Sequence, residues 1–201
     1  MSTPLTVAVS GSSGLIGSAL LERLRQDGHT VVPMVRRPAK DGEIHYDPRN
    51  GVLDPESLVG VDAVVHLAGA GIGDRRWTDR YRREILESRT LSTSLIAEAM
   101  ASVANRGGPR VLLSGSAIGF YGATGDEELN ERSAAGDGFL ADVCRAWEAA
   151  TSPAEDAGVR VVHLRTGIVL SPRGGALKKL LPLFRFGLGG RMGSGRQWQS
   201  W

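Results

Sequence analysis

Gly11-Ser12-Ser13-Gly14-Leu15-Ile16-Gly17 links the apolar run 5–10 to an amphipathic stretch over 14–27. A glycine turn in that setting can hold phosphates, and the setting is what makes a glycine pattern informative. Gly11 permits the tight turn, Gly14 lets a pyrophosphate approach the backbone, and Gly17 lets helix and sheet pack closely. The amides that open a helix lack intrahelical partners and point at such a ligand, and Ser12 and Ser13 lie in the same turn. A second apolar run, 30–35, ends in Arg36-Arg37-Pro38, with Arg36 standing 19 residues beyond Gly17. An acid there would bind the ribose hydroxyls of NAD. A guanidinium instead offers a planar fork to the 2′-phosphate of NADP. NADP is therefore the expected cofactor, with NAD second.

The other reactive cluster is Ser114-Gly-Ser116-Ala-Ile-Gly-Phe-Tyr121, directly after the apolar run 110–114. Ligands of open α/β sheets gather beyond such strand ends. Ser116 could bind a carbonyl oxygen and Tyr121 could shuttle a proton, which makes them the candidate catalytic pair. The structural alternative is that Ser116 caps a turn and Tyr121 packs in the cleft wall. Cys144, between Val143 and Trp147 on a helix, reads as a small buried hydrophobe. His66 in an apolar strand reads as structural. His29, His45 and His163 have no metal-ligand spacing, and no metal is expected.

The elements that position these residues alternate. Strands are expected over 5–10, 30–35, 44–46, 62–67, 110–114 and 159–164. Helices are expected over 14–27, 78–103 and 137–156, with a helical turn at 54–59. Thr78 can cap the long helix, whose inward face is expected to carry Ile85, Leu91, Leu95, Ala99 and Met100. Near-continuous Val/Leu strands between amphipathic helices imply a parallel sheet covered on both faces. The expected architecture is α/β, a doubly wound Rossmann sheet over 1–170. Glycine and aromatics dominate 171–201, which reads as the start of a smaller substrate lobe within which the chain is expected to stop.

Composition narrows the function classes. Hydrophobic residues make up 41% and charged residues 23% of the 201, the usage of a globular protein rather than of a disordered one. No stretch approaches the roughly 20 apolar residues of a membrane span, and the N-terminus lacks a basic region before its apolar run. Net charge is +2 and the arginines are scattered among acids without an aromatic-interleaved basic stripe, so nucleic acid is not an expected partner. With one cysteine there is no internal disulfide, which suits a reducing cytoplasm. A small molecule is the expected partner, and a homodimer is compatible with this reading.

Three stretches together resemble the extended short-chain dehydrogenase/reductases: the glycine turn, Asp62-Ala-Val-Val-His-Leu-Ala-Gly69, and Ser114 to Gly122. Arg76-Trp-Thr, Glu87-Ser-Arg89, Ala146-Trp-Glu148, Arg165-Thr-Gly167-Ile-Val-Leu-Ser171 and Gly193-Ser-Gly-Arg-Gln-Trp198 resemble, more narrowly, the epimerase/dehydratase-like "epimerase family protein" subgroup. The resemblance implies backbone contacts from Leu15 and Ile16 to the pyrophosphate. It places Leu67, Ala68 and Gly69 along the nicotinamide side, with Ser114, Arg165 and Gly167 against the nicotinamide half. It also implies a tyrosine followed four residues later by a lysine, and that pair is missing. Asn50, Ile85 and Gly125 follow Tyr46, Tyr81 and Tyr121 at that distance. Aligned on Glu148, Leu140 and Cys144 stand in the two places. The implied function is NADP(H)-dependent oxidoreductase or epimerase chemistry on a small polar, sugar-nucleotide-like substrate. The alternative is a non-catalytic NADP-binding sensor or scaffold that has lost the dyad.

Overall fold

In the computed structural model, which describes residues 3–191 and 193–201, the first apolar run becomes β1 (Thr6–Ser10), at the centre of a sheet. It is followed by β2 (Thr30–Val35), β3 (Ile44–Asp47), β4 (Val52–Leu53), β5 (Ala63–His66), β6 (Val111–Ala117) and β7 (Arg160–Thr166). The helices are α1 (Leu15–Gln26), α2 (Asp79–Val103), α3 (Phe139–Ala149), α4 (Ser152–Asp156) and α5 (Gly175–Arg185). Sheet order is β4-β3-β2-β1-β5-β6-β7, parallel throughout except for the antiparallel β3–β4 edge. This is the expected doubly wound Rossmann fold. The winding reverses between β1 and β5, which opens a crevice beyond their C-terminal ends.

Alternation along β1 divides the core between the two faces. Val7 and Val9 pack with Leu21 of α1 and with Val65. Ala8 points the other way, into the larger cluster built on Ile96, Met100 and Val103 of α2, with Val64, Leu112 and Ala154. Register carries the strands past one another in step, so that Ser10 pairs with His66, His66 with Ser114, and Ser116 with Arg165.

Local differences from expectation have identifiable causes. β4 is two residues long, too short to show a period of two. The helix expected over 137–156 is two helices, α3 and α4, with Thr151 between them and Pro153 in the first turn of α4. Pro153 has no N–H with which to continue the preceding ladder. Leu91 is exposed rather than inward, because Ser92 and Thr93 take the buried stripe of α2 together with Ile85, Ile96 and Met100. β6 runs past Ser114 to Ala117, which brings Ser116 into the sheet. Within 171–201, α5 has no buried residue, and Phe186, Trp198 and Trp201 are exposed. Among the described residues no helix is long and apolar enough to cross a membrane.

One buried polar chain crosses the core. The Ser92 hydroxyl donates to the Ser88 carbonyl at 2.7 Å, so at 3.0 Å it accepts from His66 Nε2–H. His66 Nδ1 is then the acceptor for the Ser10 hydroxyl at 2.5 Å. The imidazole is therefore neutral and fully satisfied, which is the structural role the sequence suggested. Burial, helped by the charge of Arg89, pushes it down to about 4 from an ordinary 6.5. Between those values the unfolded chain binds a proton that the folded chain refuses. Stability is thus full above pH 6.5 and falls as pH drops towards 4, at about 1.4 kcal/mol per unit, or about 3 kcal/mol in all. Urea unfolding of the unmodified chain and of His66→Gln across this range should show the slope in the former and its loss in the latter. Parallel pH profiles would refute the assignment.

Candidate functional site

The crevice begins with the glycine turn. Gly11 has φ +67°, and a Cβ there would lie 2.8 Å from the Leu67 carbonyl carbon and 2.9 Å from Ala68 N. On Gly17 a Cβ would stand 2.2 Å from the Gly11 carbonyl oxygen. Both positions are closed to any side chain, one by the approach of the Leu67–Gly69 loop and the other by helix-to-turn packing. Gly14 is the exposed N-cap of α1 and offers no side-chain cap to the first amides of the helix. Ser13, Gly14, Leu15 and Ser18 face Arg173, Gly174 and Gly175 across a cavity of about 340 Å³. An uncapped helix start with bare backbone and an opposing arginine fits the pyrophosphate of a dinucleotide.

The two arginines after β2 have different settings. Arg37 makes a bidentate pair with Glu43, both contacts at 2.6 Å, and donates to the Pro38 carbonyl. Hydrogen bonds from Arg37, then from the Lys40 amide, hold the Glu43 carboxyl down to about 2. Arg36 is exposed at the strand end with no hydrogen bond to another described side chain. Its donors are therefore open to solvent, while Arg37 shapes the loop beside it.

Beyond β6 and β7 lies a compact polar cluster. Ser116 Oγ donates to Glu148 Oε1 at 2.7 Å. Arg165, opposite Ser116 in the β6–β7 register, grips both Glu148 oxygens at 2.8 Å through Nε and Nη2. Its Nη1 donates to the Tyr121 hydroxyl at 3.0 Å and to the Glu131 carbonyl at 3.2 Å. The guanidinium also lies 3.5 Å from the Phe120 ring centroid. Tyr121 ends a 3₁₀ turn, Ile118–Tyr121, and with Leu129, Asn130, Glu131, His163 and Arg165 lines a cavity of about 370 Å³. Burial works against ionisation of Glu148. The hydrogen bonds from Arg165 and Ser116 outweigh it and hold the carboxyl below its usual range.

Sequence reasoning therefore placed Ser116, Tyr121 and Arg165 in one neighbourhood and missed Glu148 as their hub. The available signal was spacing: Glu148 lies four residues after buried Cys144, on the same helical stripe. Because the Ser116 proton goes to Glu148, the serine would have to turn to donate to a substrate carbonyl. The Tyr121 oxygen accepts from Arg165, which leaves its own proton free. Ser114 is fully buried beneath the crevice, its hydroxyl near the Gly115 carbonyl at 3.3 Å. Gly167 is covered by the Ser200 backbone, where a Cβ would meet the carbonyl oxygen at 2.7 Å. The Cys144 thiol is buried against the Ala117 carbonyl at 3.7 Å, and burial pushes it up. Among the described residues no group of three or more His, Cys, Asp or Glu could hold a metal ion.

Comparison with known proteins adds an independent line. Epimerase family protein Mb2239 from Mycobacterium bovis is 49% identical over 196 residues, covering 97% of this chain, which spans 64% of that relative's length. The crystal structure of human epimerase family protein SDR39U1 (isoform 2) with NADPH superposes with TM-score 0.87 at 35% identity, covering 98% of this chain and 65% of that one. A nucleoside-diphosphate sugar epimerase from Corynebacterium glutamicum gives TM-score 0.85 at 46% identity, over 99% of this chain and 41% of that one. The model of the NAD dependent epimerase/dehydratase family matches residues 7–199. That match takes in the glycine turn, the strand that carries Ser116 and the helix that carries Glu148, and the chain belongs to this family.

Proposed function

We propose that the chain binds NADP(H) across the crevice and supports oxidoreductase or epimerase chemistry on a small polar substrate of the sugar-nucleotide class. The observation that carries the chemical half is the Tyr121–Arg165–Glu148–Ser116 cluster at the ends of β6 and β7. The binding half rests on the uncapped start of α1 and the free guanidinium of Arg36. It draws support from the NADPH in the human relative's structure, and the substrate class from the name of the Corynebacterium protein. The nicotinamide, when bound, supplies or accepts a hydride. The chain's own part is to hold the phosphates on the α1 amides and the 2′-phosphate on Arg36. Arg165 fixes the Tyr121 oxygen, so that the phenol proton meets a substrate oxygen from the cavity side.

Calorimetric titration with NADPH and NADH tests the binding half. The unmodified chain should prefer NADPH, and Arg36→Ala should shrink that preference by about tenfold or more, the scale of one charge-assisted phosphate contact. Arg37→Ala should do less, because its guanidinium is taken by Glu43. Equal affinities in the unmodified chain would overturn the NADP reading.

A second reading has its own observation. Leu140 and buried Cys144 leave α3 without the tyrosine–lysine pair, so the chain could bind NADP as a sensor or scaffold. Tight NADPH binding with no hydride transfer to or from any tested sugar nucleotide would favour it.

A further inference from the structure

Arg89 is a cation without an anion. It lies half-buried where α2 meets α3, with Nη1 donating to the Ile85 carbonyl at 2.9 Å and its guanidinium 5.0 Å from the Trp147 ring centroid. Among the described residues no carboxylate lies within ion-pairing distance of it. A guanidinium carries five N–H donors, and a charge drawn out of water is costly unless those donors find partners. Burial indeed pushes this guanidinium below its ordinary pKa.

Its neighbours show which side of the crevice it serves. A Cβ on Gly69 would stand 3.3 Å from Arg89 Cζ and 3.5 Å from Nη1. Gly69 belongs to the loop that leaves β5, the same loop that closes over Gly11. Trp147, over whose ring the Arg89 guanidinium lies, packs on Gly115 of β6, 2.9 Å from where its Cβ would be. Arg89 therefore sits on the β5–β6 side of the crevice, with Arg36 beyond β2 at the opposite end and the α1 amides between them. Cys144 of α3 also lies within its electrostatic reach.

We propose that Arg89 holds the ribose on the nicotinamide side of the dinucleotide, its guanidinium reaching the ribose hydroxyls past the bare Cα of Gly69. This rests on the NADP(H) reading above and adds to it a binding residue supplied by α2. A planar fork of donors matches a pair of vicinal hydroxyls, and α3 offers no lysine for that task.

The test uses three probes on the intact chain: NADPH, 2′-phospho-ADP-ribose, which keeps the second ribose, and 2′,5′-ADP, which lacks it. Arg89→Met should weaken the first two by about ten- to a hundredfold and leave 2′,5′-ADP unchanged. Arg89→Lys, which keeps the charge, should recover part of the loss. Gly69→Ala, by crowding the guanidinium, should also weaken only the two longer ligands. Equal loss for all three probes, or no loss for any, would overturn the role of Arg89. Failure of the unmodified chain to bind even 2′,5′-ADP would overturn the NADP(H) reading first, and the Arg89 proposal with it.

Discussion

Tyr121→Phe should lower turnover of a verified substrate by about 10²–10⁴-fold, the usual worth of a positioned acid or base, while NADPH affinity stays nearly unchanged. The phenol oxygen is fixed by Arg165 Nη1 at 3.0 Å, and the ring is buried, with an edge-to-face contact to Phe120. Loss of the hydroxyl removes one hydrogen-bonding group without disturbing that packing, so kcat should fall far more than KM rises. Arg165 would keep its two bonds to Glu148 and lose one donor contact, so the midpoint of unfolding should hardly move. Retention of full turnover would place the proton donor elsewhere. A parallel Ser116→Ala variant separates the roles within the cluster. If Ser116 serves to orient Glu148, its loss should cost less than that of Tyr121. If it turns to polarise a substrate carbonyl, the two losses should be similar.

The sequence revealed strand identity and the nucleotide turn because both depend on local rules. Buried parallel strands read as unbroken Val/Leu runs, and Gly11 and Gly17 are required by contacts only a few residues away or across one neighbouring strand. Glu148 was harder to recognise. Its meaning comes from the β6–β7 register, which sets Ser116 against Arg165, and from the placement of α3 over both. None of these is a short-range property of the chain. Arg37 illustrates the same limit. Two adjacent arginines look alike in sequence, but Glu43, six residues on, claims one of them through a turn that carries no strong periodic signal. Arg89 was hidden for a related reason. It is one of six arginines within residues 75–89, four of them on α2, and only the approach of Gly69 and Trp147 separates it from the solvated ones.

Glu148 is also where folding and chemistry are coupled most tightly. Its side chain and that of Arg165 are 11% and 18% exposed, so removing the carboxylate strands a mostly buried guanidinium. Breaking such a pair on one side costs more than the pair itself is worth, and Glu148→Ala should destabilise the chain by about 3 kcal/mol in urea unfolding. If the cost is the uncompensated charge, Glu148→Ala combined with Arg165→Met should recover much of the loss. If it is lost packing on α3, the double variant should be no better than the single one. The pH response gives a second check. With its folded pKa depressed, Glu148 contributes stability above the ordinary carboxylate range of about 4.3, and that contribution fades as pH falls through the lowered value. Glu148→Gln should flatten this acid limb while keeping the side-chain shape and a hydrogen-bond acceptor for Ser116. Should Glu148→Gln bind NADPH normally and unfold as the parent does at neutral pH, yet lose turnover, the carboxylate charge would be needed to hold Arg165 against Tyr121, beyond its part in the fold.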